Sequence, residues 1–156
     1  MISEELRSLT GKVGEPMVLE VERGAIRKMA DSVGDTNPLY WDQEYARNTN
    51  HGRIVAPPGF FGWPTKWTNA MPFFTTLRDD LNKALAAAGY SRRLDGSIEY
   101  EFHVPIRDGD TLFAFFQIVS IFEKNPTMVF NVTKTSYYNQ NGSLAAVATQ
   151  TIIART

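Results

Sequence analysis

No cysteine occurs among the 156 residues. That absence removes disulfide scaffolds, thiolate zinc sites, iron–sulfur clusters and thiol catalysis. Histidine is nearly as scarce: His51 and His103 are the two in the chain, too few for a multi-histidine metal site, and neither a metal nor a cofactor is expected. Charge of one sign is lacking too. Sixteen basic against seventeen acidic residues leave a formal charge of -1, which argues against a nucleic-acid partner, since phosphates call for a basic surface. No apolar run approaches the ~18 residues that would span a bilayer. The start, Met1-Ile2-Ser3-Glu4-Glu5-Leu6-Arg7, does not read as a signal or transit peptide, so the expectation is a cytoplasmic protein with no membrane partner. Repeats, low-complexity stretches and linkers are absent as well. What is present is ordinary for a globule: 43% hydrophobic and 21% charged residues, in a length that suits one domain over residues 1–156 with its own core.

The patterning changes character half-way. Met17 to Val21 alternates as a short strand. Ile26, Met29, Ala30 and Val33 then recur at i, i+3, i+4 and i+7, one face of a helix, with Gly34 placed to end it in the left-handed conformation. The segment Gly34-Asp35-Thr36-Asn37-Pro38-Leu39-Tyr40-Trp41-Asp42 reads as a loop of turn formers, after which Asp42 is placed to cap a short helix through Ala46. A mostly buried central helix is expected from about Pro58 to Trp67, carrying Phe60, Phe61 and Trp63 and bent by Pro64. Thr76 and Asp79 have capping-box-like spacing before the stripe Leu77, Leu81, Leu85 and Ala88, closed by Gly89.

From Ser97 onward the period is two. Ile98, Tyr100, Phe102 and Val104 point one way and Glu99, Glu101 and His103 the other; Pro105 ends the strand and Arg107-Asp108-Gly109-Asp110 turns the chain. Thr111–Phe122 is apolar on both faces, the mark of a strand covered on both sides, and a second subunit is the expected cover. Thr127–Tyr138, the turn Asn139-Gln140-Asn141-Gly142, and Ser143–Ala154 complete an antiparallel meander. The fold class is therefore α+β, a curved antiparallel sheet wrapped around a buried helix.

The run Gly34-Asp35-Thr36-Asn37-Pro38-Leu39-Tyr40-Trp41-Asp42, the later Ile54-Val55-Ala56-Pro57-Pro58, and Phe102-His103-Val104-Pro105-Ile106-Arg107-Asp108-Gly109-Asp110-Thr111 together resemble the MaoC-like hydratase/dehydratase family, most of all its N-terminal-type domain. The resemblance covers most of the chain. It implies a hot-dog fold and the addition of water to trans-2-enoyl thioesters, or its removal from (R)-3-hydroxyacyl thioesters, in fatty-acid or steroid acyl-CoA metabolism. It also implies a homodimer, or a heteromer with a second MaoC-like subunit, acting on an acyl-CoA or an acyl carrier protein thioester.

The family's loop has the form Gly-Asp-x-Asn-Pro-x-His, whose Asp and His act together on a water and on the substrate's α-proton. Asp35, Asn37 and Pro38 match it, and Tyr40 stands where the histidine would be. A tyrosine titrates near ~10, so making it an anion at neutral pH costs on the order of 4 kcal/mol. Further on, the family carries Ala-His-Gly, whose glycine N–H polarises the thioester carbonyl. Here the run is Ala56-Pro57-Pro58-Gly59. Pro58 has no N–H, and Gly59 supplies one only if the register moves by a residue. The candidate catalytic residues are thus Asp35 and Tyr40, and the candidate substrate-binding residues Asn37, Pro38, Pro58, Gly59 and Phe60.

Plainer readings stand beside these. Asp35, Asn37 and Pro38 also build a tight turn, Tyr40 and Trp41 also serve as packing groups, and His51 reads as a surface loop residue. His103 fits a structural or interface role, and Phe60, Phe61, Trp63, Trp67, Phe73 and Phe74 fit a core or an acyl-tunnel wall. Lys66, Arg92, Arg93, Arg107 and Lys124 are candidates for the phosphates of coenzyme A. Three functions follow: the catalytically degenerate, pocket-forming half of a heteromeric enoyl-CoA hydratase; a self-sufficient homodimeric hydratase using Asp35; or a hot-dog protein that binds acyl thioesters without turning them over.

Overall fold

The computed structural model describes residues 2–64 and 76–156. The chain order is α1 (Glu4–Ser8), β1 (Met17–Glu20), α2 (Arg23–Ser32), α3 (Pro38–Trp41), α4 (Gln43–Arg47), β2 (Trp63–Pro64), α5 (Thr76–Ala87), β3 (Arg92–Phe102), β4 (Thr111–Asn125), β5 (Met128–Asn139) and β6 (Leu144–Arg155). The six strands make one sheet in the order β2-β1-β4-β5-β6-β3, and every pairing is antiparallel. As the sequence leads one to expect, β4, β5 and β6 form a meander. Its second turn is closed by Asn139, whose side chain accepts from the N–H groups of Asn141 and Ser143.

The buried residues fall into two groups. One joins β1, α2 and α3 to the start of β4, through Leu19, Ile26, Ala30, Tyr40, Ile54 and Leu112. The other seats α5 against α1 and the sheet: Leu77, Leu81, Ala84 and Leu85 lie with Leu6, Phe116, Ile118, Val129 and Ala154. Leu77, Leu81 and Leu85 face the core as their spacing predicts, but Ala84 takes the place expected of Ala88, because the helix ends at Ala87. The N–H of Tyr90 there bonds the oxygen of Leu85 beyond a left-handed Gly89. Val33 likewise falls at the end of α2 and is 62% exposed.

The helix expected from Pro58 to Trp67 is not formed over residues 58–64; its remainder lies outside the described residues. Pro57 and Pro58 lead into a turn in which the N–H of Phe60 donates to the oxygen of Pro57 at 3.0 Å. Gly59 and Gly62 have φ of 88° and 85°, a conformation that no right-handed helix accommodates. Trp63 and Pro64 then pair with Glu20 and Leu19 as the sheet's edge strand, where a proline's missing N–H does no harm. Among the described residues, α5 and α2 are the helices that pack on the sheet. Phe60 is buried as expected and Trp63 is 49% exposed.

β3 corrects a second expectation. It begins at Arg92 rather than Ser97, stops at Phe102, and all eleven of its residues are exposed. The period-two pattern was that of a strand, yet β3 lies at the far edge, bonded to β6 only, and the described residues cover it in part, as where Phe61 meets Tyr100 with ring centroids 5.6 Å apart. β4 has its inner residues Leu112, Ala114, Phe116 and Ile118 buried, but its outer Phe113, Val119 and Phe122 stay exposed. Ring pairs occupy that outer face: Phe122 stacks on Phe130 with centroids 5.4 Å apart, and Phe115 meets Tyr138 edge-on at 5.9 Å.

Candidate active site

The end of α2 sets up the loop. Gly34, at φ 69°, lets its own N–H reach the oxygen of Asp31 and the N–H of Asp35 reach that of Ala30, the paired bonds that finish a helix at a left-handed residue. The Asp35 carboxylate then accepts from the N–H of Asn37 at 3.0 Å, and the Asn37 side chain accepts from Leu39 at 3.1 Å. Asn37 thereby caps α3, with Pro38 at its first position where no N–H is needed. The segment expected to be loop throughout therefore holds a four-residue helix, which turns Tyr40 into the core at 8% exposure. The indole of Trp41 donates back to the oxygen of Asp35 at 2.9 Å. Burial, and to a smaller degree the charge of Asp35, pushes the Tyr40 hydroxyl above its ordinary pKa. Tyr40 is a neutral phenol at physiological pH.

Asp42 caps α4 as expected, accepting from Glu44 and Tyr45. The chain then returns past α3. The N–H of Val55 reaches the oxygen of Leu39, that of Ala56 the oxygen of Ile106, and Val55 bridges to Arg107. Residues 54–58 are thus threaded between α3 and the segment that follows β3. The result is a cleft of about 330 Å³ lined by Tyr40, His51, Pro57, Pro58, Phe60, Phe102 and His103, among others.

Of the expected site residues, Tyr40, Pro58 and Phe60 meet in this cleft. Gly59 lines a neighbouring one with Phe60, Phe61 and Tyr137. Asp35, Asn37 and Pro38 build the turn and cap behind Tyr40, so the carboxylate of Asp35 supports the loop rather than lining the cleft. His51 and His103, the only histidines of the chain, both line it. The sequence alone places His51 on a surface loop and gives His103, among glutamates on a strand face, a structural or interface role. The one available signal was the run Ile54-Val55-Ala56, apolar enough to pair with the strand-ending Val104-Pro105-Ile106.

A charged network braces the floor behind the cleft. Asp110, 4% exposed, accepts from Arg53 at 2.9 Å, from the N–H of Arg107 at 2.8 Å and from Gln140 at 3.1 Å. Arg23 holds one oxygen of Asp108 through two nitrogens. Arg107 donates to the backbone oxygen of His51 at 2.9 Å, which fixes the loop bearing that imidazole. The other cations proposed for phosphates are scattered: Arg92 and Arg93 begin β3, Lys124 lies over the ring of Phe130, and Lys66 falls outside the described residues. Among the described residues no group of three or more acidic or histidine side chains is placed to hold a metal, and no helix is long and apolar enough to cross a membrane.

Comparison with known proteins adds the family. The model of the FAS1-like dehydratase domain region matches residues 8–150. The chain belongs to that family. A UPF0336 protein of Streptomyces griseus is 28% identical over 153 residues, 96% of this chain and 94% of the relative. A probable enoyl-CoA hydratase alpha subunit of Thermomonospora curvata is 32% identical over 130 residues, 78% of this chain and 40% of that protein, so the chain spans less than half of that relative. Among solved structures, the ChsH1-ChsH2 complex from Mycobacterium tuberculosis superposes with a TM-score of 0.77 at 19% identity, over 98% of this chain and 95% of that one. The fold of this FAS1-like dehydratase domain is the hot-dog fold shared with MaoC-like dehydratases, as the sequence resemblance implied.

Proposed function

We propose that this chain is the pocket-forming, catalytically degenerate subunit of a heteromeric enoyl-thioester hydratase, or (R)-3-hydroxyacyl-thioester dehydratase. The observation that carries this reading is Tyr40: where the family's loop has its histidine, a buried phenol stands with its pKa raised, unable to take a proton from water. Pro57 and Pro58 support the reading, since neither has an N–H to offer a thioester carbonyl. So does the strand β3, whose free edge ends in Phe102 at the wall of the cleft; a second hot-dog subunit seated along β3 would close the cleft and bring its own Asp and His to it. In that assembly the partner's pair delivers water to Cβ of the enoyl group and a proton to Cα, while this chain holds the acyl group. The names borne by the relatives, an enoyl-CoA hydratase alpha subunit and a two-component complex, point the same way.

A self-sufficient homodimer is the second reading, favoured by one observation: His51 and His103 line the Tyr40 cleft and are the imidazoles available to replace the missing base. One experiment separates the two. Hydration of trans-2-enoyl-CoAs is followed with the purified chain alone and with a second hot-dog protein that carries the Gly-Asp-x-Asn-Pro-x-His loop. The first reading expects turnover only from the pair, and co-elution of the two. Full activity from the chain alone, lost in His51→Ala or His103→Ala, establishes the second. No turnover and no thioester binding in either preparation defeats both.

A further inference from the structure

One row of inward-facing residues departs from the apolar core around it. The irregularities of β5 pairing are taken up by extra residues on its neighbours, Val119 and Lys124 of β4 and Ala145 of β6. β5 itself runs unbroken, so Val129, Asn131, Thr133, Thr135 and Tyr137 share one face. Val129 is apolar and fully buried; the next four are polar, with Asn131 at 2% and Thr133 at 4% exposure. Gln150 of β6 lies directly opposite Thr133 and shares its face, whereas the β4 residues opposite Thr133, Thr135 and Tyr137 are Ile118, Phe116 and Ala114.

The polar row opens into a cavity. Asn131, Thr133 and Gln150 line a space of about 290 Å³ with Arg78, Leu81 and Leu85 of α5, and the Arg78 guanidinium sits 4.5 Å from the centre of the Phe116 ring. Asn131 is fixed by donating to the oxygen of Ile152 at 3.0 Å. Among the described residues no hydrogen bond engages the hydroxyl of Thr133. At its other end the row reaches Tyr137, whose ring stacks on Phe61 at 4.0 Å and lines the cleft of Gly59 and Phe60. Phe60 is common to that cleft and to the Tyr40 cleft. From Tyr137 to Thr133 the path is four residues of extended strand, roughly 13 Å.

A wall meant for a plain alkyl chain would be apolar, because each buried hydroxyl or amide without a partner costs about 1–3 kcal/mol. We infer that the inner row of β5 is the distal acyl subsite of this protein, and that its ligand is an acyl thioester whose acyl group carries hydroxyl or keto oxygen well beyond the reacting carbons. The inference rests on the proposed reading of the chain as an acyl-thioester protein and adds the substrate class to it. Thr133 is the specificity-determining residue: its hydroxyl partners the distal oxygen, and an unsubstituted chain leaves it desolvated and unpaired, whereas Gln150 beside it already donates to Asp95 at 3.5 Å.

The test is equilibrium binding to the full chain, using palmitoyl-CoA, ω-hydroxypalmitoyl-CoA and a mid-chain hydroxypalmitoyl-CoA, with coenzyme A as the reference. At least one hydroxylated probe is expected to bind roughly tenfold more tightly than palmitoyl-CoA, about the value of one hydrogen bond. Thr133→Val, which keeps the shape of the side chain, is expected to erase that preference by weakening the hydroxylated probe and not palmitoyl-CoA. Thr133→Ala gives the same readout should Thr133→Val not fold. Palmitoyl-CoA binding as well as every hydroxylated probe overturns the inference, as does a variant that weakens all probes alike; both leave the thioester reading standing. Acyl probes that bind no better than coenzyme A itself overturn the thioester reading and this inference with it.

Discussion

The indole N–H of Trp41 donates to the backbone oxygen of Asp35 at 2.9 Å, and that one bond ties the turn following α2 to the far end of α3. Tyr40 sits inside the clasp. Trp41→Phe keeps an aromatic ring and deletes the donor. The expected cost is about 1 kcal/mol in urea denaturation, with the native fold retained. Loss of several kcal/mol would mean that the ring packs more critically than its partial burial indicates.

Tyr40→Phe removes the hydroxyl and little else. In the active assembly it is expected to leave hydratase turnover within about tenfold, since deleting a true general acid or base costs ~10²–10⁴. Tyr40→His restores the family's side chain but not an N–H at Pro58, so it is expected to give at most weak activity. A strong gain would show that Gly59 already supplies the carbonyl donor.

Tyr137 makes stability fall at high pH. Burial, reinforced by Tyr100 and opposed by Arg78 and Thr135, pushes its hydroxyl up to about 12, against ~10 in an unfolded chain. The folded state keeps the proton longer than the unfolded state does. The stabilisation is therefore fully present below pH ~10 and is lost as pH rises towards the folded value. Alkaline unfolding followed by tyrosinate absorbance and circular dichroism is expected to be less pH-dependent in Tyr137→Phe over that interval.

Two glycines make a controlled pair. A Cβ on Gly62 would lie 2.5 Å from the oxygen of Glu20, whereas one on Gly34 meets nothing within 4 Å; both residues have positive φ. Gly34→Ala is expected to cost about 1 kcal/mol, the conformational penalty alone. Gly62→Ala should cost clearly more, since β2 must move away from β1. Equal thermal shifts for the two would mean that the β1–β2 pairing contributes little.

The meander, the α5 stripe, the Gly34 terminus and the Asp42 cap were legible because each depends on local pattern or on one residue's backbone preference. The helix expected from Pro58 was misread over residues 58–64 because an apolar run of that length has no period of its own. Gly59 and Gly62 settle the matter, and their positive φ is not visible in composition. β3 was misread in a different way: its alternation is real, but alternation does not say which side of a strand the rest of the chain supplies. The site divides likewise. Tyr40 and Pro58, which line the cleft, were singled out through the motif and Phe60 through the aromatic run beside it. His51 and His103 enter through a tertiary pairing, Val55 with Arg107, that no short window contains.

An edge strand eleven residues long whose outer hydrogen-bonding groups no other strand of the described residues pairs with is also a hazard, because such edges template stacking between copies. β3 carries its own safeguards. Gly96 marks a register break against β6 between Asp95 and Ser97, and a Cβ there would press on the oxygen of Thr151 at 3.0 Å, so the strand cannot lie straight and flat. Glu99 and Glu101 set two carboxylates on one face near its end, and these repel their equivalents in a parallel, in-register stack. The residues that flank the cleft therefore also set how readily copies stack, and neutralising Glu99 and Glu101 is expected to raise that tendency, read as light scattering at high concentration.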